Sequence, residues 1–290
     1  MGRATVALGT FAAAVCAYTA GAQAAPEQPS VYVALGDSFA AGTALPPLVS
    51  PAPPMCLRSM VNYPHLVAAA LGVTEFRDVT CSGAVLADLA GRQTDMDGSP
   101  IAPQYDALSA DTTLVTVGIG GNDIGLVGLG LGCVNALPEP NGHSCAAANT
   151  AGGRDRIGEN IVAFAPGYAA MIEQIRLRAP LARILLVGYP TGIRNGGCPG
   201  RQPVRAADAT YLQAKIDQLS AAMRAQAIAS GTTYVDTATS SAAHDACAEP
   251  GQAWMVGAIP TDPGAIASLH PNAAGHRNSA EQVLTALAAR

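Results

Sequence analysis

The sequence predicts an α/β fold, a mostly parallel sheet covered by helices on both faces. Three observations predict it. Strand-like and helix-like segments alternate along the 290 residues. The strand-like segments are continuous apolar runs, the pattern of strands buried on both faces. No internal repeat or long linker interrupts them. The length suits one large domain or two small ones, and the unbroken alternation favours one, over residues 25–290. The Pro-rich piece 46–54 lies too early to separate two cored units and reads as a surface loop.

Each element has a local reason. Residues 31–35 (VYVAL) form a short apolar run ending at Gly36, a buried strand. Residues 64–71 read as a short helix with Pro64 in its first turn, where no N–H is needed. Residues 74–79 are a weaker strand. Residues 114–119 are a buried strand stopped by Gly120-Gly121. Over 155–178 the apolar residues Ile157, Ile161, Phe164, Tyr168, Met171, Ile172 and Ile175 recur on one helical face, and Pro166 and Gly167 kink or divide that helix. A fourth strand covers 183–187, an amphipathic helix 207–230, a fifth strand 233–235 and a closing helix 273–288. The stretches 43–62, 126–153 and 189–205 read as long loops. In such a sheet the site lies at the carboxyl ends of the strands. Gly36-Asp37-Ser38, Gly120-Gly121-Asn122 and the segment before Ala273 are therefore expected to meet there.

Composition excludes several classes. Nearly half the residues are apolar, enough for a sizeable core. The net charge is −5, no Lys/Arg run occurs, and Lys215 is the only lysine, so nucleic acid has no electrostatic footing. Residues 1–24 read as an export signal: Arg3 supplies the positive start, 6–22 the apolar stretch, and Ala22-Gln23-Ala24 a small-x-small cleavage site before Ala25. The alternative, an uncleaved anchor, is disfavoured by the Gly, Thr and Tyr within a run barely long enough to span. Val15 before Cys16 fits a lipoprotein processing site poorly. No second apolar run is long enough for a membrane helix, so a secreted protein without stable membrane insertion is expected. Removing the signal leaves Cys56, Cys81, Cys133, Cys145, Cys198 and Cys247. An even number in an oxidising compartment implies three disulfides, and pairing of sequence neighbours (56–81, 133–145, 198–247) is expected. None stands in a CxxC or near a suitably spaced His, so neither zinc nor any other metal or cofactor is expected.

Three segments carry chemistry. Ser38, in Gly36-Asp37-Ser38-Phe39, sits where a strand turns into a helix, which exposes a nucleophile beside free backbone N–H groups; an ordinary helix cap is the competing reading. Asn122, in Gly120-Gly121-Asn122-Asp123, offers an amide donor at a strand end, though the same residues also make a good turn. His270, in Leu269-His270-Pro271-Asn272, can face the serine as a base.

Together these segments resemble the SGNH (GDSL-type) hydrolase family, and a fourth block, Cys81-Ser82-Gly83-Ala84, supplies its glycine. The blocks occur in order from about residue 31 to the end. The cysteines and the stretches Cys56-Leu57-Arg58-Ser59 and Asn62-Tyr63-Pro64 resemble the secreted actinobacterial lipase/esterase branch. The resemblance implies a flavodoxin-like three-layer α/β/α sandwich on a mostly parallel five-stranded sheet. It implies Ser38 as nucleophile, His270 as base, and an oxyanion hole from the Ser38 and Gly83 N–H groups and the Asn122 side chain. The chain departs from the family at Ala267, where an Asp usually completes a triad. A Ser38–His270 dyad is therefore expected, with a backbone carbonyl near Ala267 or Ser268 taking the imidazole N–H; Asp262 reaching in through its loop is the alternative. The expected partner is a small-molecule or lipid ester, cleaved by a monomer. A phospholipase, a polysaccharide deacetylase, an acyltransferase or a non-catalytic binding module keeps the same fold.

The remaining candidates read more plainly. Asp37 braces its turn, Asp123 is structural, and His276 packs or caps the last helix. His65, His143 and His244 show no partner in the sequence and read as surface residues. Trp254 lines the cleft or joins the core.

Overall fold

The computed structural model describes residues 1–2, 29–137, 141–261 and 266–289. The expected signal with its cleavage site, and Asp262 with Pro263 and Gly264, lie outside the described residues.

The chain enters through β1 (Val31–Gly36) and turns sharply into the one-turn helix α1 (Ser38–Ala41). Then come α2 (Tyr63–Leu71), β2 (Glu75–Asp78), a small antiparallel pair β3 (Gln93–Thr94) and β4 (Pro100–Ile101), and β5 (Leu114–Gly118). The middle holds α3 (Leu126–Gly132), α4 (Cys145–Asn149), α5 (Arg156–Phe164) and α6 (Gly167–Arg178). The last part is β6 (Arg183–Val187), α7 (Ala206–Ala229), β7 (Thr233–Val235), α8 (Ala238–Ser241) and α9 (Ala273–Ala288).

The main sheet has five strands in the order β2-β1-β5-β6-β7, parallel at every pairing. Counted among themselves these strands run 2-1-3-4-5, the flavodoxin-like order. The strand order reverses at β1, and ligands of such sheets bind in the crevice beyond the carboxyl ends there. All six residues of β1 are buried. Val33, Leu35, Val115, Val117, Ile184 and Leu186 share a core with residues of α5, α6 and α7 such as Ile161, Ile172 and Leu219. The alternate residues Tyr32, Ala34, Leu114, Leu185 and Val187 pack with Tyr63 and Val67 of α2 and Val283 of α9. Each Val, Leu and Ile among them contributes about 1.5–3 kcal/mol by leaving water, which is why β1, β5 and β6 are largely apolar.

Two findings refine the sequence reading. The 155–178 helix is divided at Ala165-Pro166, where proline supplies no N–H to continue the ladder. The stretch 126–153 is not loop throughout, for it holds α3 and α4. The α3 sequence, LVGLGLG, hides a helix because each glycine costs about 1 kcal/mol in helix propensity. Burial of Leu126 and Leu129 offsets that cost. Disulfides join Cys56 to Cys81, Cys133 to Cys145 and Cys198 to Cys247. In the chain-entropy account each contributes about 3–4 kcal/mol by restricting the unfolded chain.

Candidate active site

The site starts from a glycine. A Cβ on Gly36 would stand 2.4 Å from the Gly118 carbonyl oxygen, so only glycine lets β1 and β5 end this close together. The next peptide is held as well, since Asp37 N–H donates to Gly118 O at 2.9 Å. Gln104 grips the Gly36 peptide from the side: its Oε1 accepts from Gly36 N–H at 2.8 Å and its Nε2 donates to Gly36 O at 3.0 Å.

Asp37 braces the turn. One carboxylate oxygen accepts from Phe39 N–H at 2.9 Å, capping α1, and the other accepts from the Tyr189 hydroxyl at 2.6 Å. The same hydroxyl accepts from Gly121 N–H at 2.7 Å. One phenol thus ties together the carboxyl ends of β1, β5 and β6. Burial lifts the Asp37 carboxyl to about 7, against the pull of the Tyr189 and Phe39 hydrogen bonds.

Ser38 is the first residue of α1 and is only 5% exposed. Its Oγ lies 2.8 Å from His270 Nε2, across 232 residues of sequence. His270 Nδ1 lies 2.8 Å from the Ser268 carbonyl oxygen. A carbonyl only accepts, so Nδ1 carries the proton and Nε2 accepts from the Ser38 hydroxyl. Burial pushes the imidazole below its ordinary value, with the Ser268 carbonyl opposing. Among the described residues no carboxylate is hydrogen-bonded to His270.

The histidine loop is held rigidly. Leu269 has φ +63°, a left-handed conformation that costs a non-glycine residue about 1–2 kcal/mol. Three backbone bonds enforce it: Leu269 N–H to Val256 O, Val256 N–H to His270 O, and Asn272 N–H to Trp254 O, each 2.9 Å. The Leu269 side chain lies over Gly130 of α3, where a Cβ would come within 2.9 Å of its Cδ1. The glycines that obscured α3 in the sequence thus include one that makes room beside the histidine.

Gly83, with φ +78°, is presented by a second clamp. Cys81 is tied to Cys56, and Ser82 donates to the Cys56 carbonyl oxygen through its N–H at 3.2 Å and its hydroxyl at 2.8 Å. The Ser82 hydroxyl also meets that of Thr43. Asn122 Nδ2 donates one hydrogen to Ala84 O at 2.9 Å, which leaves its second N–H for another acceptor. Asp123 accepts from Leu86 N–H with both carboxylate oxygens and so fastens the same two segments. The N–H groups of Ser38 and Gly83 have no partner among the described residues. Of the residues expected from the sequence, the structure puts Ser38 and His270 in contact and ties Asn122 to the segment of Gly83. Sequence reasoning missed Gln104 and Tyr189, which act 68 and 152 residues away from the groups they hold and stand in no motif.

The other candidates fall elsewhere. His276 is fully buried, and its Nδ1 accepts from Tyr63 N–H at 3.1 Å, joining α9 to α2. Burial pushes its pKa down to about 4. The folded state therefore binds this proton less well than the unfolded chain. The associated stability is present above pH 6.5 and is lost as pH falls toward 4, about 3 kcal/mol in all. Asp37 works the other way, gaining stability as pH falls from about 7. Comparison with His276→Asn, which keeps an acceptor for Tyr63, isolates the histidine. Chemical denaturation from pH 7 to pH 4 is expected to show a shallower loss in the variant; parallel curves overturn this assignment.

His143 is exposed and His65 and His244 are half-buried, and each has a partner that the sequence does not show: Asn62 and Asp78 for His65, Gly132 O for His143 and Gln252 O for His244. Trp254 stacks on His244, with ring centroids 3.7 Å apart. Among the described residues no cluster of His, Cys, Asp and Glu is placed to hold a metal, and no helix is long and apolar enough to cross a membrane.

An apolar cleft is lined by residues next in sequence to Ser38 and His270. Phe39, Leu126, Ile193, Leu212, Ile216 and Leu269 are among its walls. Phe39 packs against the rings of both Tyr189 and His270 at 5.0 Å. The cleft thus begins at the residues flanking Ser38 and His270.

Residues 34–277 match the GDSL-like lipase/acylhydrolase family. The chain is 37% identical over 289 residues to Lipase 2 of Streptomyces coelicolor, covering 97% of this chain and 94% of that one. Among solved structures, an extracellular lipase from Streptomyces rimosus has a TM-score of 0.73 at 26% identity, covering 89% of this chain and 99% of that one. A phospholipase A1 from Streptomyces albidoflavus has a TM-score of 0.72 at the same identity and coverages. With four motif blocks gathered at the switch point of a 2-1-3-4-5 sheet and a family match spanning most of its length, the chain belongs to the GDSL-like lipase/acylhydrolase family.

Proposed function

We propose that the protein is a secreted hydrolase of lipid-like acyl esters, with Ser38 as nucleophile and His270 as general base and acid. The observation that carries this reading is the 2.8 Å contact between Ser38 Oγ and His270 Nε2. His270 takes the Ser38 proton as Oγ bonds to the ester carbonyl carbon. The negative oxygen turns toward the N–H groups of Ser38 and Gly83 and the Asn122 amide, where each donor contributes about 3–4 kcal/mol to the transition state. The bond to the alcohol oxygen breaks, and that oxygen leaves with the proton from His270. Water then gives a proton to His270 and attacks the acyl carbon. The Ser38 ester breaks, and the proton returns to Ser38 Oγ. Neither half-reaction calls for a cofactor.

The apolar cleft supports an acyl chain over a sugar-borne acetyl group. The three disulfides and the expected leader support export. The Ser268 carbonyl already occupies His270 Nδ1, which supports a dyad. Asp262→Asn is therefore expected to keep near wild-type turnover, whereas a loss on the order of 10⁴ would place the carboxylate in a triad. The reading as a whole is tested with p-nitrophenyl esters from acetyl to palmitoyl and a serine-directed phosphonate. Hydrolysis that favours chains longer than acetyl, with the adduct on Ser38, supports it. Binding of esters without turnover or adduct replaces it with a binding module.

A further inference from the structure

A thin wall separates the apolar cleft from a second groove. Gln202 and Val204 line both spaces. Gly257 and Ala258 line the cleft, and Ile259, next in the chain, lines the groove. The wall is therefore two segments, 202–204 and 257–259. The Gln202 side chain joins them: its Nε2 donates to Ile259 O at 2.9 Å and its Oε1 accepts from Ile259 N–H at 3.1 Å. Gly257 makes room for this amide, since a Cβ there would come within 2.3 Å of Gln202 Cδ.

This wall is built to stay shut. Gln202 is only 3% exposed, and moving it aside would strip the Ile259 N–H and carbonyl of their partner. Its own N–H donates to Cys198 O at 3.1 Å, and Cys198 is bonded to Cys247. Val204 is bridged to Val134, which follows Cys133 of a second disulfide. Gln202 is also the one amide or acid side chain among the described residues that line the cleft, so an alkyl chain reaching it meets a polar group already in use. The groove beyond carries the exposed side chains of Leu137 and Ile259, with Pro203 between the two residues of the wall. Phe39 and Leu269, beside Ser38 and His270, mark the side of the cleft where the ester carbonyl would lie.

We propose that Gln202, with Val204, is the stop of the acyl site and sets the longest acyl chain the protein cleaves well. The inference rests on the ester-hydrolase reading above, with the acyl chain in this cleft. It is tested with p-nitrophenyl esters from butyrate to palmitate at one detergent concentration, each kcat/KM taken relative to the same variant's butyrate value, with Tm measured beside. Wild type is expected to gain with each added methylene up to a limiting length and then to fall. Gln202→Ala moves that limit to longer chains, and esters just past the wild-type limit gain about fourfold for each methylene newly buried. Gln202→Leu keeps most of the bulk and loses the hydrogen bonds, so its limit stays near wild type. Should Gln202→Ala fail to fold, Val204→Ala breaches the same wall and must move the limit in the same direction. A wild type with no limit up to palmitate, an unmoved limit in the alanine variant, or an equal shift in Gln202→Leu overturns this inference and leaves the esterase reading standing. If wild type cleaves no ester of any length, the esterase reading falls and takes this inference with it.

Discussion

Replacing Ser38 with alanine is expected to lower kcat for p-nitrophenyl butyrate by on the order of 10⁵- to 10⁶-fold, and His270→Ala by a similar factor, with the double variant no worse than either. The reason is that in the proposed dyad the two side chains perform one act. Without His270 Nε2 at 2.8 Å the Ser38 hydroxyl keeps its proton and is a poor nucleophile, and without Ser38 the imidazole has nothing to activate. Residual activity comes from the backbone donors and the cleft, which neither change removes. The pH profile reports on the same contact. Burial lowers the His270 pKa, and the base works only when neutral, so the acid limb of kcat/KM falls below the ordinary imidazole value of 6.5. Losses that multiply in the double variant would mean that the two residues act independently, and the proposed dyad would be wrong. Because both side chains are buried, Tm of each variant is measured beside turnover.

Asn122→Ala is expected to cost about 10²- to 10³-fold in kcat with KM little changed. In the proposed oxyanion hole the Asn122 amide offers its unused hydrogen to an oxygen that becomes fully negative only in the transition state, so its loss spares the bound substrate. Its other hydrogen, on Ala84 O, holds the amide against the Gly83 segment and sets its aim before substrate arrives. Asn122→Asp tests the sign of the charge offered to the oxyanion. It keeps the shape, removes the donors and brings a negative charge toward the oxyanion, so it should be slower than the alanine variant. A Michaelis analysis with matched Tm values decides: an effect confined to KM, or an aspartate variant faster than alanine, removes Asn122 from the oxyanion hole.

Much of this protein is legible in one dimension. Continuous apolar runs at 31–35, 114–119 and 183–187 announce strands buried on both faces, because only a strand covered on both sides has no use for a polar alternate position. Gly36, Ser38, Gly83, Asn122 and His270 stand in short motifs, because each proposed role needs one particular backbone shape or functional group. Reading failed where the determining partner was distant. In α3 the glycines point locally away from a helix, and the burial of Leu126 and Leu129 decides for one. Tyr189 looks like any tyrosine after a strand until the sheet brings its hydroxyl to Asp37 and Gly121. The strained Leu269 carries no signal of its own, since backbone hydrogen bonds to distant residues enforce it, and the carbonyl of Ser268 is anticipated only indirectly, from Ala267 standing where a carboxylate is usual. The sequence by itself determined the fold class, the candidate site residues and the supply of cysteines, because burial, reactivity and covalent pairing depend on residue type. Only the tertiary structure decided how the serine and histidine are oriented, which groups hold them, and which cavities flank them, because those follow from distances between residues that the chain itself keeps far apart.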